Sequence, residues 1–169
     1  RLYKSIDKRI KETFIKHGTA QNQIVVYDMY TRFYRWAFDR LANEGIVCYI
    51  TNNSYLESRS FDGFRKCIED EFDYAYIIDL GGNIRTLSGK DGIWMNQEHT
   101  VFGVAAAVGI AIMFLVRKEV NEGEKRNCRI NYIHPCDIRA TRVEKFQWLK
   151  ANETSFNAIE FTPIRPDVR

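Results

Sequence analysis

Residues 100–118 read TVFGVAAAVGIAIMFLVRK, and the architecture depends on whether this run is a membrane anchor, a buried helix or a buried strand. From Val101 to Val116 it has sixteen uncharged residues. A membrane-spanning helix needs roughly 20. Gly103 and Gly109 interrupt the run, and nothing beside it resembles a second span. Its second half, Ile110–Val116, is dense in residues that favour a strand apolar on both faces, and Arg117-Lys118 end it. The expectation is a buried strand preceded by a small-residue loop, with no membrane partner.

The elements on either side place that strand. Tyr3, Ile6, Ile10 and Phe14 recur at helical spacing, with Gly18 as a stop. A stripe of Tyr27, Tyr30, Phe33/Tyr34, Ala37/Phe38 and Leu41 predicts a second helix. Ile46–Thr51 then reads as a central parallel strand, and Thr51–Ser54 as the turn at its carboxyl end. Ser58 or Ser60 is expected to cap a third helix carrying Phe61, Phe64, Ile68 and Phe72. Tyr74–Leu80 is a further strand, ended by Gly81-Gly82. A long irregular segment leads to the opening run, Asn121–Arg126 reads as a hairpin-like turn, and Arg129–Ile133 as an antiparallel strand. Thr141-Arg-Val-Glu144 matches a capping box. Residues 1–150 are expected as one unit and 151–169, with Pro163 and Pro166, as a linker.

A strand–helix–strand crossover belongs to an α/β, doubly wound sheet. The first strand arrives late, so the chain reads as the second half of a Rossmann-like domain, with an antiparallel strand near its edge. The glycines after Asp79 invite a cofactor reading, but such a loop needs a helix to follow. Ile84–Gly92 cannot form a regular one, and a tight turn is the better account.

Composition narrows the function. With 169 residues, 45% apolar and 28% charged, the balance is that of a globular domain. Net charge is +3, too mild to argue for nucleic acid by itself. Residues 1–40 hold nine Lys or Arg against four acids, and residues 41–116 hold five against ten, which reads as two solvated faces. Four cysteines without framework spacing, and no signal-peptide pattern, suit a reducing cytoplasm. Cys128, His134 and Cys136 lack a clear fourth ligand, so no metal is expected.

Four blocks, taken in order, resemble one family: YDMYTRFYRWAFDRL (27–41), GIVCYITNNSYLESRSFDGFRKCI (45–68), YAYIIDLGGNIR (74–85) and TVFGVAAAVGIAIMFLVRK (100–118). They are similar to the later part of the adenine-N6 DNA methyltransferase domain of single-polypeptide type I, or type ISP, restriction–modification enzymes. The resemblance covers nearly the whole chain. It implies S-adenosylmethionine as cofactor, DNA as partner, and an Asn-Pro-Pro-aromatic tetrad that holds the target amino group. The chain departs from that pattern, because its only prolines are Pro135, Pro163 and Pro166. It is therefore expected to be a fragment beginning just after the tetrad, with no catalytic residue of its own and its cofactor-binding residues unknown.

The remaining expectation is one wall of a target-base pocket. Phe102 stands where the family places an aromatic that stacks on the flipped base; read without the family, it is core. Asn52 and Asn53 sit at the carboxyl end of a strand, where open α/β sheets place ligands. They border the pocket or form a plain turn. Arg85 and Lys90 are candidates for phosphate contact. The aromatic helix and strand 46–51 would have packed against the absent half, so self-association of the fragment is expected. The competing reading is a non-catalytic α/β module that docks a protein or nucleic acid through its aromatic and basic helices.

Overall fold

In the computed structural model, residues 3–87, 95–103, 107–119 and 125–165 are described. Lys90 and most of the expected turn at Asn121–Arg126 lie outside them. The chain opens with helix α1 (Lys4–Ile10), which continues as a wider π turn over Lys11–Ile15. Helix α2 (Met29–Arg40) begins where the Asp28 carboxylate accepts from the Met29 amide. Its stripe resolves to Tyr34 and Phe38, both buried, while Phe33 turns to solvent.

Strand β1 (Gly45–Asn52) leads through a single helical turn, α3 (Ser54–Glu57), and a 3-10 turn to α4 (Asp62–Glu71). Neither Ser58 nor Ser60 caps α4. Ser60 Oγ donates instead to the Asn22 carbonyl, and the Asp62 carboxylate accepts from Gly63 N, Thr19 N and Thr19 Oγ1. The need to dock α4 on the π turn overrides local capping. A Cβ on Gly63 would sit 1.9 Å from the Phe14 carbonyl, so only glycine lets the two backbones meet.

Strand β2 (Tyr74–Gly81) is followed by one helical turn, α5 (Ile84–Leu87). The opening run does form a strand, β3 (Ile110–Arg117), and then come β4 (Arg129–Ile133), α6 (Arg142–Ala151) and β5 (Thr162–Ile164). The Thr141–Glu144 capping box starts α6 as its sequence predicts. Part of the tail expected as a linker thus joins the sheet.

The strand order is β1-β3-β2-β4-β5. β3 runs antiparallel to both β1 and β2, which are therefore parallel to each other, and β4 pairs parallel with β2. This is a mixed α/β sheet of the expected class, with two differences of detail. Arg129–Ile133 is antiparallel to β5 as expected but parallel to its other neighbour, β2, and a further reversed strand, β3, is inserted between two parallel ones. A hairpin from β3 to β4 is impossible because both edges of β3 are already taken. The described residues on either side of the connection meet at the start of β2 instead. There the Asp73 carboxylate accepts from Lys118 N and pairs with Arg126, and the Asp73 carbonyl accepts from Arg129 N. The second difference is that β1, read as central, is the outer strand among the described residues, with Ile46 and Ile50 on its exposed face.

One face of the sheet packs on the four N-terminal helices. Ala111, Met113 and Leu115 of β3 meet an aromatic cluster in which Phe38–Phe72 and Phe14–Phe64 lie 4.7 and 5.0 Å apart, edge to face. Complete burial of Met113 and Leu115 contributes about 2 kcal/mol each, more than an edge position would give. The opposite face is covered over β2 and β3 by Trp148, Leu149, Ile159 and Phe161, but not over β1.

Candidate functional site

Because β3 is reversed, its start lies level with the carboxyl ends of β1 and β2. Ile110 is paired with Asn52 on one side and, past a bulge, with Gly81 on the other. Open α/β sheets hold ligands at this end.

Asp79, nearly buried on β2, organises it. One carboxylate oxygen accepts from Asn53 Nδ2 and from Gly81 N, both at 2.9 Å, and the other from the Tyr132 hydroxyl at 3.0 Å. Burial and the neighbouring carboxylate raise the Tyr132 phenol well above its ordinary range, so it stays a donor. Asn53 N also donates to the Gly109 carbonyl, which closes the end of β1 onto the start of β3. Asn52 does something different: its side chain accepts from Ser54 N at 2.6 Å and shapes the turn into α3.

A second layer is built by residues 95–103. A 3-10 turn, Gln97–His99, is closed by a reciprocal Asn96–His99 capping pair. Thr100, fully buried, places its hydroxyl 2.9 Å from the carbonyls of both Gln97 and Gly103. Lys145 of α6, also buried, donates its ammonium to the His99 carbonyl at 2.5 Å, and desolvation lowers its pKa. Gly82, at φ 89°, lets this loop lie against the end of β2; a Cβ there would be 2.8 Å from the His99 carbonyl. The loop so pinned carries Phe102, a residue 54% exposed.

Of the residues singled out in the sequence, the structure places Asn52, Asn53 and Phe102 at this one end of the sheet. Arg85, exposed on α5, follows the same Gly81-Gly82 turn and has no hydrogen bond or ion pair among the described residues. Lys90 lies outside them. Sequence reasoning treated Asp79 only as part of a turn and missed Tyr132 and Lys145. None of the three carries a local signature for its role, since the side-chain pairs Asn53–Asp79 and Asp79–Tyr132 and the Lys145–His99 bond join residues 26 to 53 positions apart. Among the described residues no three His, Cys, Asp or Glu side chains gather as a metal site would require. No helix among them is long and apolar enough to cross a membrane.

Residues 3–85 match the family model for the Eco57I restriction-modification methylase. Solved structures that match almost the whole chain include the following three. One, of a DrdV–DNA complex, is 42% identical, with a TM-score of 0.83 over 99% of this chain. A nuclease-deletion mutant of the type ISP restriction-modification enzyme LlaGI, in complex with a DNA substrate mimic, is 29% identical with a TM-score of 0.84 over 99%. The ATP-dependent type ISP enzyme LlaBIII bound to DNA is 25% identical with a TM-score of 0.81 over 96%. The chain spans only 15%, 13% and 10% of the lengths of these three. No curated protein matches it significantly. The strand order, the ligand end of the sheet and these matches agree: residues 3–85 are similar to restriction–modification methylases, and type ISP enzymes are among the structural relatives of the chain.

Proposed function

We propose that this chain supplies the target-base side of a DNA methyltransferase domain in a restriction–modification or phage-defence enzyme of the cytoplasm. The reaction is transfer of a methyl group from S-adenosylmethionine to adenine N6. The observation that carries this reading is Phe102, an exposed ring on a pinned loop at the ligand end of the sheet. An enzyme that modifies a base in a duplex extrudes it at a cost of a few kcal/mol. Stacking on an aromatic returns about 1–3 kcal/mol per base. Phe102 receives the adenine, Asn52 and Asn53 border its pocket, and Arg85 and Lys90 contact phosphates.

The described residues do not fit S-adenosylmethionine. Asp79, the acid best placed to hold a ribose, spends both oxygens on protein donors, and among the described residues a single helical turn follows the Gly81-Gly82 loop. The cofactor and the Asn-Pro-Pro-aromatic tetrad are accordingly assigned to sequence preceding residue 1, and residues 151–169 to the passage toward a target-recognition domain. This chain alone is then inactive. The edge of β1 left unpaired among the described residues, its exposed Ile46 and Ile50, and the exposed Met29, Phe33 and Trp36 on α2 are the surface that the cofactor-binding half covers. In its absence two copies of the fragment associate there.

The test is expression of the full-length protein in cells whose DNA lacks N6-methyladenine. Mass spectrometry of the DNA nucleosides then detects the modified base. Unmodified DNA from cells that contain the folded protein and S-adenosylmethionine would sink the proposal.

A further inference from the structure

The first turn of α6 faces the Phe102 loop with two cations three positions apart, Arg142 and Lys145, on one side of the helix. Their situations differ. Lys145 is buried and bonded to the His99 carbonyl, so it holds the loop in place. Arg142 is exposed and has no ion pair or hydrogen bond among the described residues. Its guanidinium nevertheless lies against the residue that follows the exposed ring: a Cβ on Gly103 would be 2.7 Å from Arg142 Nη1. Gly103 is glycine because of its φ of 67°, and the guanidinium fills the space beside it.

We infer that Arg142 binds the phosphodiester of the nucleotide whose base stacks on Phe102, an inference that rests on the base-stacking role proposed above. A base drawn onto the ring brings its own phosphate one sugar away, where an anion meets a planar fork of five N–H donors. The acids nearest in sequence do not compete for it. The Glu144 carboxylate accepts from Thr141 N and Oγ1, and Asp137 Oδ1 from Arg139 N. Arg142 is a contact to the DNA backbone and reads no sequence.

The experiment uses the full-length enzyme and a duplex carrying the adenine it methylates, and compares R142Q, R142K and F102A. R142Q is expected to raise the KM for DNA about tenfold and to reduce the log–log salt slope of DNA binding by about 0.9, the value for one phosphate. Affinity for S-adenosylmethionine stays at the wild-type value, and R142K recovers most of the slope. If R142Q leaves KM and slope unchanged while F102A impairs methylation, Arg142 is only a solvated cation and the phosphate assignment is overturned, with base stacking left standing. If F102A is also without effect, the stacking role fails and this inference fails with it.

Discussion

The side-chain amide of Asn53, just past the end of β1, donates to Asp79 of β2 at 2.9 Å although β3 lies between those strands. The bridge is possible because β3 begins at Ile110 and the residue before it, Gly109, has no side chain. A Cβ there would lie 2.5 Å from both Asn53 side-chain heteroatoms.

Gly109→Ala should therefore push the Asn53 amide off Asp79. A hydrogen bond to a charged group contributes about 1.5–3 kcal/mol, and urea unfolding should show a loss of about 2 kcal/mol. Asn53→Ala should cost a similar amount, and the double variant little more than either alone. Additive losses would show that Gly109 is needed for some other reason.

Phe102→Ala and Phe64→Ala should separate a ligand-facing ring from a core ring. Phe64 is fully buried among Phe14, Tyr34 and Phe38, so its loss should cost about 3–5 kcal/mol of stability. Phe102→Ala should change stability by less than about 0.5 kcal/mol. In the full-length enzyme it should weaken use of the DNA substrate by roughly tenfold to a hundredfold, the equivalent of one lost stacking contact. Affinity for S-adenosylmethionine should not move.

Acid should destabilise the fold in a defined window. Burial alone would raise the carboxyls of Asp39 and Asp62, but hydrogen bonds and charge from Arg9 and Arg35 outweigh it at Asp39, and Thr19 and Gly63 donors outweigh it at Asp62. Both are lowered from their ordinary 3.8, so the folded state binds fewer protons than the unfolded chain. Their contribution is present above pH 3.8 and is lost as pH falls through the lower folded values. Urea midpoints measured from pH 6 to pH 2 should fall mainly below about 4, and Asp39→Asn with Asp62→Asn should flatten that fall.

Thiol labelling should report whether β1 is covered. Cys67 and Cys128 are buried, and burial raises both thiols to about 12, so neither should react at pH 8. Cys48 is exposed on the outer face of β1. Iodoacetamide followed by peptide mass spectrometry should find Cys48 modified first in this chain and protected in the full-length protein. Equal labelling of Cys48 in both would argue against a strand or helix packing there.

Much of this protein was legible along the chain. The alternating and continuous apolar patterns of Ile46–Thr51, Tyr74–Leu80 and Ile110–Val116 announce three strands, since side-chain period reports which faces are buried. The Tyr34–Phe38 stripe and the Thr141–Glu144 box are equally local, and the ordered blocks pointed to the methylase family. Tertiary structure alone decided which strands are neighbours. Period two does not encode pairing partners, so β3 could be read as an ordinary buried strand and Arg129–Ile133 as its hairpin mate, whereas both edges of β3 are occupied and β4 pairs with β2. The site followed the same rule. Asp79, Tyr132 and Lys145 gain their roles only when residues dozens of positions apart converge on one buried end of the sheet, where each polar group must find a partner or forfeit its hydration.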